Sequence, residues 1–165
     1  MSLPYAIMAF VTLQRLMELV IAARNTRALV AQGAIELGAS HYPLIVLLHT
    51  AWLLALWMSV GGRPVDLPLL GVFVVLQALR VWVLATLGSR WTTRIIVLPG
   101  APLVRGGPFR FLRHPNYCVV VAEIAVLPLM FGLLRIAILF SALNAAALWM
   151  RIGIEHKALY GKDAV

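Results

Sequence analysis

Two short stretches of this chain combine residue types that bind and react. Arg113-His114-Pro115-Asn116-Tyr117 follows a basic, Gly/Pro-rich segment and leads into an apolar run, and Arg151-Ile152-Gly153-Ile154-Glu155 follows a later one. Pro115 fits the first position of a helix, where its fixed φ is already suitable and its missing N–H costs nothing, which makes His114 the N-cap. The N–H groups of Asn116 and Tyr117 are then free at the positive end of that helix and face an anion such as a ligand carboxylate or phosphate. Arg110 and Arg113 add positive charge, and they suit lipid headgroups equally well. Arg151 and Glu155 are four residues apart on one helical face, which fits a surface ion pair as readily as a site.

A second group of polar residues lies inside apolar runs. Gln14, Arg15 and Glu18 share the first run, with Asn25 beyond them; Arg80, Glu123 and Asn144 stand alone in later ones. Ionisable groups are costly in hydrocarbon and suggest function by default. Arg15 and Glu18, three apart, can pair as a structural link between helices or line a substrate path. Arg80 and Glu123 have opposite charge and suit an interhelical pair, while His49 reads as a hydrogen-bonded core histidine. The four histidines show no metal-site spacing and no cysteine pair accompanies them, so no metal is expected. Cys118 is the single cysteine and lies among valines, which reads as a buried, inert thiol. Dinucleotide, P-loop and nucleophile-elbow motifs are absent.

The elements that position these residues must lie in a membrane. Of 165 residues, 62% are hydrophobic and 12% charged, with mean hydropathy +0.94. A soluble domain carries about 25% charged residues, and a chain this small cannot bury so much apolar surface in one core. The net charge of +8 falls between apolar runs, as the positive-inside rule expects, and does not point to nucleic acid. The first apolar run has no basic start and no small-residue cleavage site, so it reads as a retained span rather than a signal peptide.

Backbone polar groups in lipid must be satisfied within each segment, and no barrel-like alternation is present, so the spans are helices. They run from Leu3 to about Ala23, from about Leu44 to Val60 and from about Leu67 to Leu87. The stretch from Tyr117 to Met150 would be about 51 Å long as one helix. Gly132 and Arg135 divide it into a helical hairpin, with Pro128 able to kink what precedes them. The expected fold is all-α and polytopic, with about five spans in one domain covering 1–165. The first three spans occupy 1–88, and 89–165 holds a cytosolic loop, the hairpin and a C-terminal helix. An outside N-terminus and a cytoplasmic C-terminus put Arg24, Arg27, Arg90, Arg94, Arg105, Arg110, Arg113, Arg151, Lys157 and Lys162 on the inside, against Arg63 and Arg135 outside.

Taken together, Gly107-Pro108-Phe109, Arg113-His114-Pro115-Asn116-Tyr117 and Arg151-Ile152-Gly153-Ile154-Glu155 resemble the signature of the isoprenylcysteine carboxyl methyltransferase family over about residues 90–160. In the first half, Gln14-Arg15, Glu18-Leu19, Arg24-Asn25, Gly33-Ala34, Glu36, Gly38 and His41-Tyr42-Pro43 resemble the bacterial branch linked to type III polyketide synthases. That branch O-methylates alkylpyrones or alkylresorcinol-type phenolic lipids. The resemblance implies a bacterial inner-membrane enzyme with S-adenosylmethionine as methyl donor and a lipophilic acceptor drawn from the membrane.

Carried over by position, the cofactor pocket comprises Arg94, the stretch Ala101, Pro102, Leu103 and Val104, then Phe109, the turn His114, Pro115, Asn116 and Tyr117, and Glu155. Arg151 matches a substrate-contacting arginine, and with Glu155 it is the catalytic candidate. Arg15, Glu18 and Asn25 are the further substrate candidates. Phe109 stands where a tyrosine is usual, and His156 where a second acidic residue is frequent. In this reading Arg151 stabilises the acceptor oxyanion, with Glu155 or His156 assisting a phenol. Methylation of a prenylcysteine carboxylate is the alternative acceptor chemistry. A non-catalytic binding or transport protein, with Arg15, Glu18, Arg80 and Glu123 along a polar path, is the alternative of another class.

Overall fold

A computed structural model describes the backbone of residues 2–160 and the side chains of residues 2–155. The side chains of His156 and Lys157, and the whole of Lys162, lie outside the described residues. Five long helices run in chain order: α1 (Leu3–Ala31), α2 (Tyr42–Ser59), α3 (Leu67–Leu87), α4 (Pro115–Met130) and α5 (Leu134–Tyr160). Four apolar stretches, Leu3–Ala31, Ala39–Ser59, Leu67–Arg90 and Leu134–Glu155, have the length and hydropathy to cross a membrane. α4 is apolar but has 16 residues, about 24 Å of helix against about 30 Å of hydrocarbon.

The boundaries follow local chemistry. α2, α3 and α4 each carry proline in the first turn, where it costs no hydrogen bond. Asp66 caps α3 by accepting from the Leu69 N–H at 2.9 Å. α4 and α5 part at Phe131–Leu133, where Gly132 adopts φ +69°, a conformation only glycine takes cheaply. α1 does not stop near Ala23: it continues to Ala31 because Arg24, Asn25, Thr26 and Arg27 all tolerate a helix and no breaker comes before Gly33.

A feature absent from the all-α expectation joins the connectors. β1 (Ile35–Leu37) pairs antiparallel with β2 (Ile95–Val97), with Ile35 opposite Val97, Glu36 opposite Ile96 and Leu37 opposite Ile95. Three-residue strands offer too little alternation to be read against five helices. The ribbon matters because it ties the α1–α2 connector to the long α3–α4 connector, at the end of the bundle where α4 begins.

At the opposite end lies an apolar core that includes Met8, Leu56, Phe73, Leu127 and Phe131. The Asp66 N–H donates to the Met130 carbonyl at 2.9 Å, holding the start of α3 beside the end of α4. Much of the outer surface is apolar: Met58 is 87% exposed and Trp149 86%, as a lipid-facing surface requires. Cys118 also belongs to that outer surface, which corrects the expectation of a buried thiol. Its neighbour Val119 takes the inward position instead, because α4 turns about 100° per residue.

Candidate functional site

At the ribbon end a cleft of about 430 Å³ opens between β2, the segment following it and the facing ends of α4 and α5. Every residue expected in the cofactor pocket lines it: Arg94, Ala101 to Val104, Phe109, His114 to Tyr117, and Glu155. Distant parts of the chain converge because each has its own anchor. The short helical turn Gly107–Arg110 presses on α3 so closely that a Cβ at Gly107 would stand 2.4 Å from Thr86 Oγ1. That close fit positions Phe109. Arg90 reaches across the connector to donate to the Pro102 carbonyl at 2.6 Å. Arg94 pairs with Glu36 at 2.8 Å and lies over the Tyr42 ring at 4.5 Å.

His114 is the residue before α4 and Pro115 begins it. Of the two amides expected to be free, that of Tyr117 donates back to the His114 carbonyl at 3.1 Å. The helix tightens in its first turn, so only the Asn116 N–H is left without a partner among the described residues. The Asn116 side chain adds a buried, unpartnered Oδ1, and Trp91 an unpartnered Nε1.

Arg151 and Glu155 do not pair with each other directly. The Tyr117 hydroxyl stands between them, accepting from Arg151 Nε at 2.9 Å and donating to Glu155 Oε2 at 2.8 Å. Arg151 Nη1 donates to the Thr93 carbonyl at 2.9 Å. His114 stacks on Tyr117 with centroids 5.2 Å apart, its Nδ1 3.6 Å from the same Glu155 oxygen. A cation and an anion are thus held apart by one phenol, with one face of the group on the cleft.

The other face looks into a second space. A chamber of about 200 Å³ runs into the bundle, and Trp91, Thr92, Asn116, Tyr117 and Arg151 line both it and the cleft. Apart from Arg151 of α5, the chamber's charged lining comes from α1, α3 and α4. Arg15 pairs with Glu18 at 2.9 Å and with Glu123 at 2.6 Å. Arg80 pairs with Glu18 at 3.0 Å and with Glu123, and Gln77 donates to Glu123 Oε1 at 2.7 Å. The sequence suggested both pairs separately, and the fold joins them into one network. His49 and Asn144 also line the chamber.

Asn25 is not brought to either space. Its side-chain amide donates to the Gly88 carbonyl at 3.1 Å and the Trp91 carbonyl at 2.8 Å, fastening α1 to the start of the long connector. Several participants had no signal in the sequence. Trp91 and Thr93 take part through backbone carbonyls and an indole, which no spacing rule detects, while Glu36 was marked only through the resemblance and not as the partner of Arg94.

Residues 69–161 match the isoprenylcysteine carboxyl methyltransferase (ICMT) family. The chain belongs to that family. It is therefore a membrane methyltransferase, from a family whose members generally use S-adenosylmethionine. It is 39% identical over 160 residues to the uncharacterised protein YpbQ of Bacillus subtilis (strain 168), covering 94% of this chain and 95% of the relative. An uncharacterised protein of Haemophilus influenzae (strain ATCC 51907 / DSM 11121 / KW20 / Rd) is 26% identical over 151 residues, 88% of each chain. No solved structure matches. The methyltransferase match spans α3 to α5 and so includes the whole Tyr117, Arg151 and Glu155 group.

Proposed function

We propose that this methyltransferase transfers a methyl group from S-adenosylmethionine to an oxygen of a lipophilic acceptor, an alkylpyrone or alkylresorcinol-type phenolic lipid. The single observation that carries the reading is that the cleft and the chamber meet at Arg151 and Tyr117. A donor and an acceptor arriving from different sides would face each other there.

The cleft suits S-adenosylmethionine on its own chemistry. Leu98, Leu103, Val104 and Phe109 form an apolar wall for an adenine ring. Asn116 Oδ1 is a buried acceptor awaiting an N–H donor. Glu155 offers a carboxylate to a ligand cation, and Arg113 with the Asn116 amide suits a ligand carboxylate. When bound, this cofactor supplies an electrophilic methyl group on a sulfonium. The residues that would hold it are Arg94, Ala101 to Val104, Phe109, His114 to Tyr117, and Glu155.

The remaining work falls to the chain. Arg151, fixed by Tyr117 and Thr93, keeps its second terminal nitrogen without a partner among the described residues. It stabilises the acceptor's developing or existing oxyanion. A hydroxypyrone is acidic enough to arrive ionised; a phenol must lose its proton, and Glu155 receives it through the Tyr117 hydroxyl. The meeting of cleft and chamber at Arg151 and Tyr117 would align the two partners and leave little room for water, the main requirement of an in-line displacement.

In the membrane the reading has five crossings, with the N-terminus outside and the C-terminus in the cytoplasm of a bacterial inner membrane. The contact of Asp66 with Met130 supports the fifth crossing, since it brings the end of α4 level with the α2–α3 turn. The shortness of α4 then falls at its other end, so Pro115 starts below the membrane border and the site is recessed toward lipid. The family name itself favours a second acceptor, a prenylcysteine carboxylate.

The test is purified protein in lipid nanodiscs with labelled S-adenosylmethionine, offered alkylpyrone, alkylresorcinol and prenylcysteine acceptors. Label is expected in the pyrone or resorcinol. Label in the prenylcysteine alone would replace the acceptor, and absence of cofactor binding by calorimetry would remove the proposal.

A further inference from the structure

Two residues that line the chamber carry buried polar atoms with no partner among the described residues. α2 contributes His49 and Trp52, three residues apart and so on one helical face, and both line the chamber. His49 Nδ1 and Trp52 Nε1 are buried and have no hydrogen-bond partner among the described residues. The charged lining differs in this respect. Arg15 and Arg80 are matched by Glu18 and Glu123, two cations against two anions, so that surface has little charge to spend on a ligand.

An unpaired polar atom in the interior is costly, and two on one face of one cavity mark where a partner belongs. The indole N–H only donates, so the partner of Trp52 must carry an acceptor atom; a neutral imidazole nitrogen can donate or accept. Arg151 and Tyr117 occupy the part of the chamber that meets the cleft. The volume of about 200 Å³ is below that of a typical drug-sized pocket, about 300–1,000 Å³. It takes a ring and leaves an alkyl tail to the bilayer.

We infer that the acceptor's head group carries two separate oxygen functions: one methylated at Arg151 and Tyr117, and a carbonyl, ring or hydroxyl oxygen held by Trp52 Nε1 and His49 Nδ1. The inference rests on the methyltransferase reading and selects among its acceptors. Hydroxypyrones and resorcinols satisfy both ends. A lone carboxylate, with both oxygens on one carbon, satisfies only the first.

The experiment uses the full chain in lipid nanodiscs with labelled S-adenosylmethionine and three acceptors of equal tail length: an alkyl hydroxypyrone, an alkylresorcinol and the corresponding alkylphenol. Trp52→Phe and His49→Phe are each expected to lower kcat/KM about fivefold to tenfold on the two-oxygen acceptors. The loss should lie mainly in KM, with the alkylphenol unaffected. His49→Asn, whose amide nitrogen can stand where Nδ1 was, should recover part of the loss. The ratio between acceptors within one variant is independent of the folded fraction, so partial misfolding does not obscure it. Equal losses on all acceptors, or no loss on any, would overturn the inference while leaving the methyltransferase standing. If wild-type protein binds S-adenosylmethionine but methylates none of the three, the proposed acceptor class falls and the inference with it.

Discussion

Arg151 donates to the Tyr117 hydroxyl at 2.9 Å, and that hydroxyl donates in turn to Glu155 Oε2 at 2.8 Å. One turn of α5 therefore carries a cation and an anion kept from collapsing onto each other. Direct pairing at four residues' spacing would have neutralised both. The phenol leaves Arg151 where chamber and cleft meet and Glu155 on the cleft alone.

Arg151→Ala is therefore expected to lower kcat by about a hundredfold, the scale of losing one oxyanion stabiliser. Cofactor affinity should stay within a few-fold of wild type, as read by calorimetry. Arg151→Lys should recover little, because a point charge cannot reach both Tyr117 and Thr93 as the planar guanidinium does. A collapse of cofactor affinity in Arg151→Ala would move this arginine from the acceptor to the donor.

Tyr117→Phe removes only the oxygen between the two charges. The ring, and its stacking on His114, remains. With a phenol acceptor the proton path to Glu155 is broken, and turnover should fall about tenfold or more. With an acidic hydroxypyrone no proton needs removing, so the loss should be clearly smaller. Equal losses on both acceptors would show that the hydroxyl only positions Arg151.

Arg94 and Glu36 form a pair across the ribbon in which the arginine is well exposed, and such pairs contribute about 0–1 kcal/mol. Neither Arg94→Ala nor Glu36→Ala should shift the thermal midpoint by more than a few degrees. If Arg94 contacts the cofactor, its removal should weaken S-adenosylmethionine binding several-fold more than removal of Glu36. Matching losses would assign the arginine to the ribbon alone.

Much of this was legible in the sequence because the strongest rules apply there. Pro115 marked the α4 start, Gly132 the hairpin turn, and the apolar lengths gave α2 and α3 nearly to the residue. That the residues grouped in the sequence would line one cleft was legible for another reason: they come mostly from one continuous segment, Arg94 to Tyr117. What could not be read is what depends on three-dimensional meeting. The hydroxyl between Arg151 and Glu155 comes from a different helix, and the partners of Asn25 are two backbone carbonyls, those of Gly88 and Trp91. The exposure of Cys118 turns on one step of helical phase within an all-apolar run, where hydrophobicity carries no phase information.

The network inside the bundle gives a stability prediction with a sign. Arg80 is 2% exposed and is held by Glu18 and Glu123. Glu123→Leu removes one carboxylate and leaves two guanidiniums sharing Glu18, an excess positive charge in a low-dielectric interior. Breaking a buried pair in this way costs about 3–5 kcal/mol, so the variant should show a large drop in thermal midpoint in nanodiscs. The double variant Arg80→Leu/Glu123→Leu leaves Arg15 with Glu18, a neutral remainder whose hydrogen bond at 2.9 Å is already formed. It should be more stable than Glu123→Leu alone, although it has lost more native contacts. If the double variant proves less stable than the single one, the network is held by specific geometry rather than by charge balance. The lining of the chamber would then have to be treated as a rigid template for the acceptor.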